Sequence, residues 1–469
     1  MIGRKYEQGV LEDCLLSGRA EFLVVYGRRR VGKTYLIKEY FNNYFAFYTT
    51  GMTETGMKGQ IKAFNRALTE AGAEPEVPKD WFHAFAKLKA LLQTENVKKD
   101  PVSGKKVIFL DELPWMDTPR SDFKSALEYF WNSWASAQND ILLIVCGSAT
   151  SWIIENLLYN KGGFYNRITR RIHLQPFTLR ECELLYEANG IQLTRHQVIE
   201  SYMIFGGIPY YINCFDRRLS LAQNVDRLLF HETGALYYED ETLLQSLFRH
   251  HEKHAAILKE ISKCKGGVTR VELASKKEIG DGEPLTKALG ELEQCGFIRK
   301  YKNYSKKKQG FYFQLIDPFM MFSFRFLVNR EHNSWMAYVN SPSYYSWAGH
   351  AFELVVLIHK EEIKRELGIS GVESNEYAFR SSKSEPGAQI DLLIDRKDGV
   401  INLCEAKYSE KPFVIDQQYA QALRNKVNVF IHETNCRSAV HLTLISAAGV
   451  KLNEYYDTVQ VVLDQDALF

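Results

Sequence analysis

An apolar run, a glycine-rich loop and a helical segment follow one another near the N-terminus, and they constrain the fold more than any other feature. The run FLVVY occupies Phe22–Tyr26, the loop GRRRVGKT occupies Gly27–Thr34, and TYLIKEYF continues as a helical pattern. This order fits the motif G-x4-G-K-[ST] in the strand, loop and helix context that the motif requires. Glycines let such a loop wrap, so that backbone N–H groups and the helix N-terminus face a phosphate group. The sequence therefore predicts a phosphate-binding loop after a buried strand, and a chance glycine-rich turn is the weaker alternative.

The residue types in this loop indicate roles toward a nucleoside triphosphate. Lys33 is expected to neutralise charge on the β- and γ-phosphates, and the Thr34 hydroxyl is expected to bind Mg²⁺. The predicted cofactors are thus ATP and Mg²⁺. The predicted nucleotide-binding residues of the segment are Gly27, Arg28, Arg29, Arg30, Val31, Gly32, Lys33, Thr34 and Tyr35.

Two further apolar runs end in polar side chains. Val107–Leu110 is followed by Asp111 and Glu112, and Ile141–Cys146 is followed, after one glycine, by Ser148. Asp111 is expected to hold the Mg²⁺ shell, and Glu112 is expected to orient or activate the attacking water. Ser148 has two interpretations that the sequence leaves open. It either senses the γ-phosphate or positions water, or it is an ordinary serine at a strand end.

These motifs resemble those of the archaeal-type AAA+ ATPases, relatives of the origin-recognition and signalling NTPase groups. The resemblance is carried by IGR at Ile2–Arg4, VVYGRRRVGKT, IFLDELPW ending at Trp115, the strand ending CGS, and FGGIPYY at Phe205–Tyr211. In that family the IGR segment lies near the adenine. A G-x-P turn, which here contains Pro209, places a lid helix against the nucleotide.

The resemblance also implies an arginine finger that reaches the γ-phosphate from shortly after the third strand. Arg167 and Arg170 are the candidates, and Arg167 is the preferred one. The alternative is that both belong to a solvated basic stretch, NRITRR. Because the nucleotide sites of this family often lie between subunits, the resemblance leaves a homo-oligomer open.

A departure from the family pattern lies just after Pro209. Many lids of this family carry an arginine there that touches the γ-phosphate, whereas this chain continues YYINCF and next offers Arg217 and Arg218. We therefore expect slow hydrolysis, typical of a switch rather than a motor. Steady-state phosphate release at saturating ATP should stay below about 10 per second, the median scale for enzymes. Turnover well above that value would contradict the prediction.

The order of apolar and amphipathic runs predicts four segments. Residues 1–176 alternate buried-strand and helix patterns, which is typical of a doubly wound α/β domain. Residues 177–243 are mainly helical in pattern and form the predicted lid. Residues 244–330 combine three helical stretches with two strands around a lysine-rich turn, which suggests a winged helix. Residues 346–469 open with a helix and continue with strand–turn–strand patterns.

The strand pair of the predicted winged helix carries a basic tip. RKYKNYSKKK at Arg299–Lys308 holds six positive charges and two tyrosines in ten residues. On a β-hairpin this tip would lie along a phosphate backbone, with the helix Pro284–Cys295 in the groove, so DNA is the predicted partner. That helix carries two glutamates and one lysine, a poor composition for a negatively charged groove. A packing module with a solvated lysine loop is therefore an equal alternative.

The last segment carries acidic residues and a lysine on two strands. Gln389–Ile394 contains Asp391, and the following strand contains Glu405 and Lys407. Since side chains two apart in a strand point to the same face, Glu405 and Lys407 share one face. Both carboxylates are expected to bind one Mg²⁺, with Lys407 stabilising charge on the phosphorane or positioning water. Glu353, in a predicted helix, is expected to supply a further carboxylate.

This order of helix-Glu, strand-Asp and Glu-x-Lys resembles the PD-(D/E)xK restriction-endonuclease-like fold. It also resembles the domain of unknown function that archaeal-type ATPases often carry at their C-termini. The expected fold class is α/β, with an AAA+ P-loop NTPase core, a helical lid, a winged helix and a C-terminal restriction-endonuclease-like domain. The predicted catalytic residues are Lys33, Glu112, Arg167, Asp391, Glu405 and Lys407, and the predicted metal ligands are Thr34, Asp111, Glu353, Asp391 and Glu405. Surface charges on a two-stranded ribbon and a nuclease fold that binds DNA without cutting it are the alternatives.

Composition excludes several classes of protein. The formal net charge is +2, so affinity for nucleic acid must come from local basic patches. The eight cysteines include no CxxC pair, which argues against a zinc site and against a secreted disulfide framework. The N-terminus lacks a signal-peptide pattern and the apolar runs are too short to span a membrane, so a reducing cytoplasm is the predicted location.

Together the motifs predict an ATP-gated protein that engages DNA and carries a Mg²⁺-dependent nuclease-like C-terminal domain. One alternative is a signalling or regulatory NTPase whose C-terminal domains bind a protein or RNA without chemistry. Another is a DNA-binding regulator in which the winged helix controls transcription and the nuclease fold is inert. A steep salt dependence of DNA affinity would separate the DNA-binding functions from the protein-partner function.

Overall fold

The computed structural model describes residues 1–159, 162–164, 166–248, 251–304, 311–328, 332–381, 384 and 387–469. The chain divides into two compact units, Met1–Gln175 and Pro176–Phe469. Within the described ranges, no helix is both long and apolar enough to cross a membrane.

The first unit is built on one parallel sheet. Its strands are β1 (Glu21–Tyr26), β2 (Phe47–Thr50), β3 (Lys106–Asp111), β4 (Ile141–Gly147) and β5 (Arg170–His173). Its helices are α1 (Lys5–Leu16), α2 (Lys33–Tyr40), α3 (Met57–Glu70), α4 (Trp81–Leu92), α5 (Leu113–Met116), α6 (Phe123–Ser133) and α7 (Thr150–Ile153). The five strands lie in the order β2-β3-β4-β1-β5, and all neighbours are parallel.

The burial of its strands indicates that both faces of this sheet are covered by helices. β4 is buried at every position, and β1 is buried at all but its last residue. Continuous apolar runs of this kind belong to parallel strands whose two faces are both packed. Phe22, Phe64 and Trp81 are fully buried together in one apolar core that joins the sheet to α3 and α4. The prediction of an α/β fold with a parallel sheet is confirmed.

The strand order brings three loops to one edge of the sheet. β4 lies between β1 and β3 and is parallel to both. Since the carboxyl ends of parallel strands meet at one edge, the loops that follow β1, β3 and β4 lie side by side. These three strands were expected from the sequence. The short edge strands β2 and β5 were not, because four residues are too few to show a distinct pattern.

The second unit begins with helices and ends with a larger sheet. Its helices are α8 (Leu179–Ala188), α9 (Arg195–Phe205), α10 (Pro209–Asn213), α11 (Leu221–Val225), α12 (Glu239–Leu247), α13 (His251–Ser262), α14 (Arg270–Ala274), α15 (Glu283–Gln294), α16 (Pro318–Phe322), α17 (Pro342–Ile358), α18 (Lys360–Glu366) and α19 (Gln417–Thr434). Its strands are β6 (Val268–Thr269), β7 (Ile298–Tyr301), β8 (Tyr312–Leu315), β9 (Ser374–Arg380), β10 (Gln389–Arg396), β11 (Val400–Lys407), β12 (Ala439–Ser446) and β13 (Val461–Leu463).

A small antiparallel sheet in the order β6-β8-β7 lies near the middle of this unit. With α13, α14 and α15 it has the element order of a winged helix, and that assignment stays a prediction. α15 buries Leu285, Leu289 and Leu292, whereas Lys287 and Glu293 are exposed. The lysine-rich turn of the predicted basic tip lies within residues 305–310, which are outside the described residues.

The C-terminal sheet has the order β13-β12-β11-β10-β9. β9, β10 and β11 pair antiparallel, and β12 and β13 continue the sheet in parallel. Leu423 and Phe430 of α19 pack with Leu393 and Leu403 in one apolar core. α17 contacts β10 and β11. Helices thus hold the two strands that carry the predicted acidic residues.

His359, at the C-terminal end of α17, is a buried histidine whose two ring nitrogens are both engaged. Nε2 accepts a hydrogen bond from the Leu179 backbone N–H at 3.0 Å, and Nδ1 donates to the Val355 carbonyl at 2.9 Å. Only the neutral ring satisfies both bonds, and burial lowers the pKa of His359 from 6.5 to about 4. The unfolded chain therefore binds a proton below pH 6.5 that the folded chain does not bind until about pH 4.

Between pH 6.5 and about pH 4, acidification is expected to reduce the free energy of unfolding. The contribution of His359 to this loss is up to about 1.4 kcal/mol per pH unit. Urea unfolding at about pH 7 and about pH 5 measures the effect. The variant His359→Gln should be less stable at the higher pH, because it loses a buried hydrogen-bond arrangement, yet its stability should fall less on acidification. An identical pH dependence in both proteins would contradict the assignment to His359.

Candidate functional site

The loop after β1 adopts the backbone conformation that its glycines allow. Gly27 has φ 143° and Gly32 has φ 95°, in the region that favours glycine. Gly27 also packs closely, since a Cβ there would lie 2.3 Å from the Leu174 carbonyl oxygen. α2 begins at Lys33, so its first N–H groups face the loop. The segment has the strand, loop and helix geometry that a phosphate-binding loop requires.

Lys33, Thr34 and Asp111 lie together at this edge of the sheet. Lys33 Nζ donates to the carbonyls of Gly27 and Arg28 at 3.0 Å each. Thr34 Oγ1 lies 3.1 and 2.9 Å from the two carboxylate oxygens of Asp111. A hydroxyl and a carboxylate are oxygen ligands that suit Mg²⁺, so this pair fits the ion that the sequence predicts. Lys33 would have to exchange the loop carbonyls for phosphate oxygens when a nucleotide binds.

Asp111 is buried, and its surroundings raise its pKa. Burial is the main cause, and the neighbouring Glu112 carboxylate adds to the shift. Hydrogen bonds from the Cys146 thiol on β4 and from the Thr34 hydroxyl oppose it, because they favour the charged form. A bound cation would therefore add to the two hydrogen bonds that stabilise the ionised form of Asp111.

Glu112 and Ser148 form a hydrogen-bonded pair across the ends of β3 and β4. Ser148 Oγ donates to Glu112 Oε1 at 2.6 Å, and the Ser148 backbone N–H donates to Oε2 at 3.1 Å. The Glu112 backbone has φ 46°, a turn that directs the chain away from β3 immediately after Asp111. Two donors from one residue hold the carboxylate in one orientation. Of the two interpretations of Ser148, this geometry favours a residue that positions water through Glu112.

The other residues expected at the nucleotide differ in exposure. Arg28 and Val31 are buried, whereas Arg29 and Tyr35 are exposed. Arg4, from the IGR segment, is buried and donates from Nη2 to the Val31 carbonyl at 3.2 Å. The N-terminal segment therefore supports the loop directly, a contact that the motif alone did not reveal.

The remaining residues expected at the nucleotide site lie on separate elements. Arg167 is exposed, and its backbone N–H donates to the Phe164 carbonyl. Arg170 is the first residue of β5 and pairs with Leu23, so it lies away from the loop end of β1. Pro209 is the first residue of α10 in the second unit. The finger role of either arginine and the lid role of Pro209 stay predictions.

The C-terminal sheet brings two acidic residues side by side. β10 and β11 pair antiparallel from Leu392 opposite Cys404 to Asp395 opposite Ile401, and Asp391 and Glu405 lie just beyond these paired residues. Both line one cavity, and two carboxylates in one place repel each other unless a cation lies nearby. The pKa of Asp391 is raised, chiefly by burial and next by the carboxylate of Glu353.

Glu353 reaches the same region from α17. His350 Nδ1 lies 3.1 Å from Glu353 Oε2. Burial by itself raises the pKa of Glu353, but the His350 hydrogen bond and the charges of Lys265 and Lys407 lower it overall. Glu353 is therefore the carboxylate of this group that its surroundings keep charged.

Glu405 is held by side chains from α19 and by its neighbour on β11. Lys426 Nζ lies 2.7 Å from Oε2, and the Tyr419 hydroxyl donates to Oε1 at 3.3 Å. Lys407 Nζ lies 3.7 Å from Oε1 and 4.8 Å from the centre of the Tyr419 ring. Glu405 thus shares its charge between two lysines in this structure.

A cavity of about 200 Å³ lies between these elements. Its polar lining consists of Lys265, Glu353, Gln389, Asp391, Glu405 and Lys426. Carboxylate and amide oxygens are the ligands that Mg²⁺ prefers, so the chemistry of the set fits this ion. The oxygens do not converge, since within the part of the chain that the structure describes no group of three or more His, Cys, Asp and Glu side chains is placed to hold an ion. Binding would require Glu405 to exchange its ion pair with Lys426 for the metal ion.

Tertiary contacts add residues that the sequence did not single out. They are Cys146, Lys265, Gln389, Tyr419 and Lys426. Gln417 and Gln418 are exposed at the start of α19 and do not belong to the cavity lining. Tyr419 and Lys426 reach Glu405 instead, and their spacing of seven residues, two helical turns, was the signal that could have identified them.

The basic strand of the predicted wing packs against the C-terminal sheet. Arg299 Nε donates to Gln314 Oε1 at 2.7 Å, and its Nη2 donates to the Asp391 carbonyl at 3.3 Å. Burial lowers the pKa of Arg299 to about 10. Tyr304 packs against Tyr377 of β9. For residues 299–304 this geometry favours the packing module over a free phosphate-binding arm.

A parallel sheet with a glycine-rich loop after β1, and with carboxylates after β3 on the other side of β4, defines a P-loop NTPase. Residues 2–215 match a family model described as an ATPase domain predominantly from Archaea. The N-terminal part of this chain is therefore similar to archaeal-type ATPase domains.

Known proteins resemble most of the chain. An uncharacterized protein of Methanocaldococcus jannaschii, MJECL04, is 24% identical over 327 residues, which cover 70% of this chain and 68% of the relative. The Walker-type ATPase paby2304 of Pyrococcus abyssi has 18% identity and a TM-score of 0.50, covering 70% of this chain and 96% of that one. The ORC2 protein of Aeropyrum pernix, solved as ADPNP–ADP complexes, has 15% identity and a TM-score of 0.42, covering 68% and 92%. At 18% identity the likeness to the P. abyssi ATPase shows a shared fold.

Proposed function

We propose that the chain couples ATP hydrolysis in its N-terminal domain to Mg²⁺-dependent cleavage of DNA in its C-terminal unit. The observation that carries the proposal is the meeting of Glu353, Asp391 and Glu405, from α17, β10 and β11, around one cavity. Three carboxylates in one partly buried place repel each other, and they persist only where cations or bound ligands offset the repulsion. This arrangement supports a site for chemistry over surface charges on a two-stranded ribbon.

The residues around the cavity supply the groups that phosphodiester hydrolysis needs. Glu353, Asp391 and Glu405 would hold Mg²⁺, which when bound supplies a Lewis acid that polarises the scissile phosphate. Lys407, 3.7 Å from Glu405, would stabilise the negative charge that grows on the phosphate oxygens. Water adds to phosphorus, one P–O ester bond breaks, and the leaving oxygen receives a proton.

The N-terminal domain supplies the ATP-dependent part of the proposal. Lys33, Thr34 and Asp111 would hold ATP and Mg²⁺, and Glu112 would orient the attacking water in the direction that Ser148 sets. The slow turnover expected from the lid sequence suits a switch that changes state with each nucleotide. DNA is the proposed substrate because the C-terminal acids and lysine have the order found in restriction-endonuclease-like folds.

A cleavage assay on single- and double-stranded DNA, with Mg²⁺ and with or without ATP, tests the proposal. The full chain is compared with the variants Lys33→Ala and Lys407→Ala. Cutting that disappears with Lys407→Ala, and that changes with ATP or with Lys33→Ala, would support both parts. An absence of cutting under every condition, while ATP is still hydrolysed, would contradict the nuclease part.

A regulatory NTPase with an inert C-terminal site is the second candidate function. It is favoured by the 2.7 Å ion pair between Lys426 and Glu405, which satisfies this carboxylate without a metal. Calorimetric titration of Mg²⁺ into the Lys33→Ala chain separates the two candidates, because that variant weakens the nucleotide-linked site. Binding that is lost on a second change, Asp391→Asn, supports the nuclease. If the Lys33→Ala chain binds no Mg²⁺, the result supports the regulatory function.

A further inference from the structure

Lys265 lines the cavity of the C-terminal site, although it belongs to the loop between α13 and β6. The other lysine of the lining, Lys426, is paired with Glu405 at 2.7 Å. Lys265 is exposed at the cavity and, among the residues that the structure describes, its ammonium forms no hydrogen bond or ion pair. Its charge nevertheless acts on Glu353. One lysine of the cavity is thus bound to a carboxylate, and the other is available to a ligand.

A chain of hydrogen bonds ties the Lys265 backbone to the strand that carries Asp391. Gln314 Nε2 donates to the Lys265 carbonyl at 2.7 Å, and Gln314 Oε1 accepts from Arg299 Nε at 2.7 Å. Arg299 Nη2 donates in turn to the Asp391 carbonyl at 3.3 Å. Gln314 is buried, so these bonds are shielded from water. Side chains of β7 and β8 therefore determine where Lys265 lies relative to Asp391.

The loop approaches the C-terminal sheet more closely than a side chain would permit. A Cβ on Gly266 would lie 1.7 Å from a guanidinium nitrogen of Arg380, on β9. The Tyr301 hydroxyl donates to the Gly266 carbonyl, and Gly267 has φ 73°. Two consecutive glycines thus let the backbone pass against β9 and present Lys265 to the cavity.

We propose that Lys265 is a substrate-binding residue of the C-terminal site, whose ammonium binds a non-bridging oxygen of a DNA phosphodiester. The inference rests on the nuclease function proposed for that site. Arg299 and Gln314 are positioning residues that hold the loop of Lys265 opposite Asp391. Residues 244–330 then contribute to cleavage by completing the site, instead of reading a separate stretch of DNA with a wing.

Charge and space favour a phosphodiester as the ligand of this cavity. Glu353, Asp391 and Glu405 repel a bare anion, whereas a phosphate accompanied by Mg²⁺ satisfies carboxylates and lysine together. A volume of about 200 Å³ has room for a phosphodiester group and a few waters, at about 30 Å³ each. A lysine at the rim supplies a compact point charge to a phosphate oxygen while the carboxylates face the ion.

Titration of a labelled DNA duplex, followed by fluorescence anisotropy, tests the role of Lys265. All proteins are full chains that carry Lys407→Ala, so that the probe stays intact, and Mg²⁺ is present throughout. Lys265→Gln is compared with Lys263→Gln, a matched loss of charge at an exposed lysine that pairs with Glu260. We expect Lys265→Gln to raise the Kd roughly tenfold, the scale of one charge-assisted hydrogen bond.

The salt dependence of binding distinguishes a phosphate contact from a structural role. Between about 50 and 200 mM salt, the slope of log Kd against log salt should fall by about 0.9 in Lys265→Gln, one phosphate contact on B-DNA. Lys263→Gln should change neither the Kd nor the slope, and Lys265→Arg should restore most of the affinity. Because the Lys265 side chain is exposed, its variants should keep the wild-type melting temperature.

Two outcomes overturn the inference, and they are distinguishable. If the wild-type chain cleaves DNA while Lys265→Gln and Lys263→Gln bind it with the same Kd and slope, Lys265 does not contact the substrate and the nuclease function still stands. If the wild-type chain neither binds nor cleaves DNA with Mg²⁺ although it hydrolyses ATP, the proposed function fails and the inference fails with it.

Discussion

Replacement of Glu112 by Gln is expected to lower the kcat for ATP hydrolysis by about 100- to 1,000-fold and to leave ATP affinity nearly unchanged. The carboxylate lies directly after β3, next to Asp111, and two hydrogen bonds from Ser148 hold its orientation. Gln keeps the shape of the side chain and removes the negative charge that would orient the attacking water. Phosphate release gives the kcat, and fluorescent-nucleotide titration gives the Kd.

The variant Ser148→Ala separates an indirect role of Ser148 from a direct contact with the phosphate. If Ser148 acts through Glu112, its loss should lower the kcat by about tenfold or less, and it should add nothing to Glu112→Gln in the double variant. Fully additive losses would show that Ser148 contributes independently of Glu112. Near-wild-type hydrolysis by Glu112→Gln would show that another group orients the water.

Replacement of Asp391 by Asn is expected to lower the rate of Mg²⁺-dependent DNA cleavage by about 1,000-fold. Asp391 lines the same cavity as Glu353 and Glu405, and both carboxylates raise its pKa. Asn keeps the size of the side chain but weakens its binding of a divalent cation. Initial rates on a labelled duplex measure the loss, and ATP hydrolysis by the same preparation shows whether the N-terminal domain is intact.

The matched control for this change is Asp398→Asn, at the exposed turn after β10. Asp398 pairs with Arg396 and has no contact with the cavity lining, so cleavage should stay within about twofold of wild type. Equal cleavage by the two variants would contradict a role for Asp391 in the site.

The pH profile of cleavage gives a second test of Asp391. Burial and the Glu353 carboxylate raise the pKa of Asp391, so its ionised form is lost at a higher pH than that of an exposed aspartate. Only the ionised form binds a cation strongly. The Mg²⁺ concentration needed for half-maximal cleavage should therefore rise as the pH falls through this raised pKa. A Mg²⁺ requirement that stays constant down to the pKa of an ordinary aspartate would argue against this assignment.

Local sequence patterns predicted the loop and the strand ends of the nucleotide site well. Gly27 and Gly32 are needed for the backbone conformation of the loop, and an apolar run before it forms a strand wherever a sheet can accept it. The parallel order of β3, β4 and β1 then brings Asp111 and Ser148 beside the loop. The sequence could not show that Ser148 holds Glu112, because that contact depends on the χ angles of two side chains on different strands.

The C-terminal site was predictable only in part. The alternation of β10 and β11 identified Asp391, Glu405 and Lys407 as residues of one region, and the two paired strands bring both acids to one cavity. The winged-helix and nuclease-like assignments stay predictions. The basic composition of β7 predicts a contact with nucleic acid. In the structure, however, Arg299 of this strand donates hydrogen bonds to Gln314 and to the Asp391 backbone.

The sequence by itself determined the features that depend on neighbouring residues, namely the glycine-rich loop, the buried strands and the charged residues at their ends. Their physical basis is local, because backbone conformation and burial periodicity follow from a few consecutive side chains. Only the tertiary structure decided which distant groups meet there. Lys426 lies at the C-terminal cavity because α19 packs there. Lys265 lies there because hydrogen bonds of Arg299 and Gln314 hold its loop. Such contacts depend on how helices, strands and loops pack against one another. The spacing of residues within one segment does not specify them.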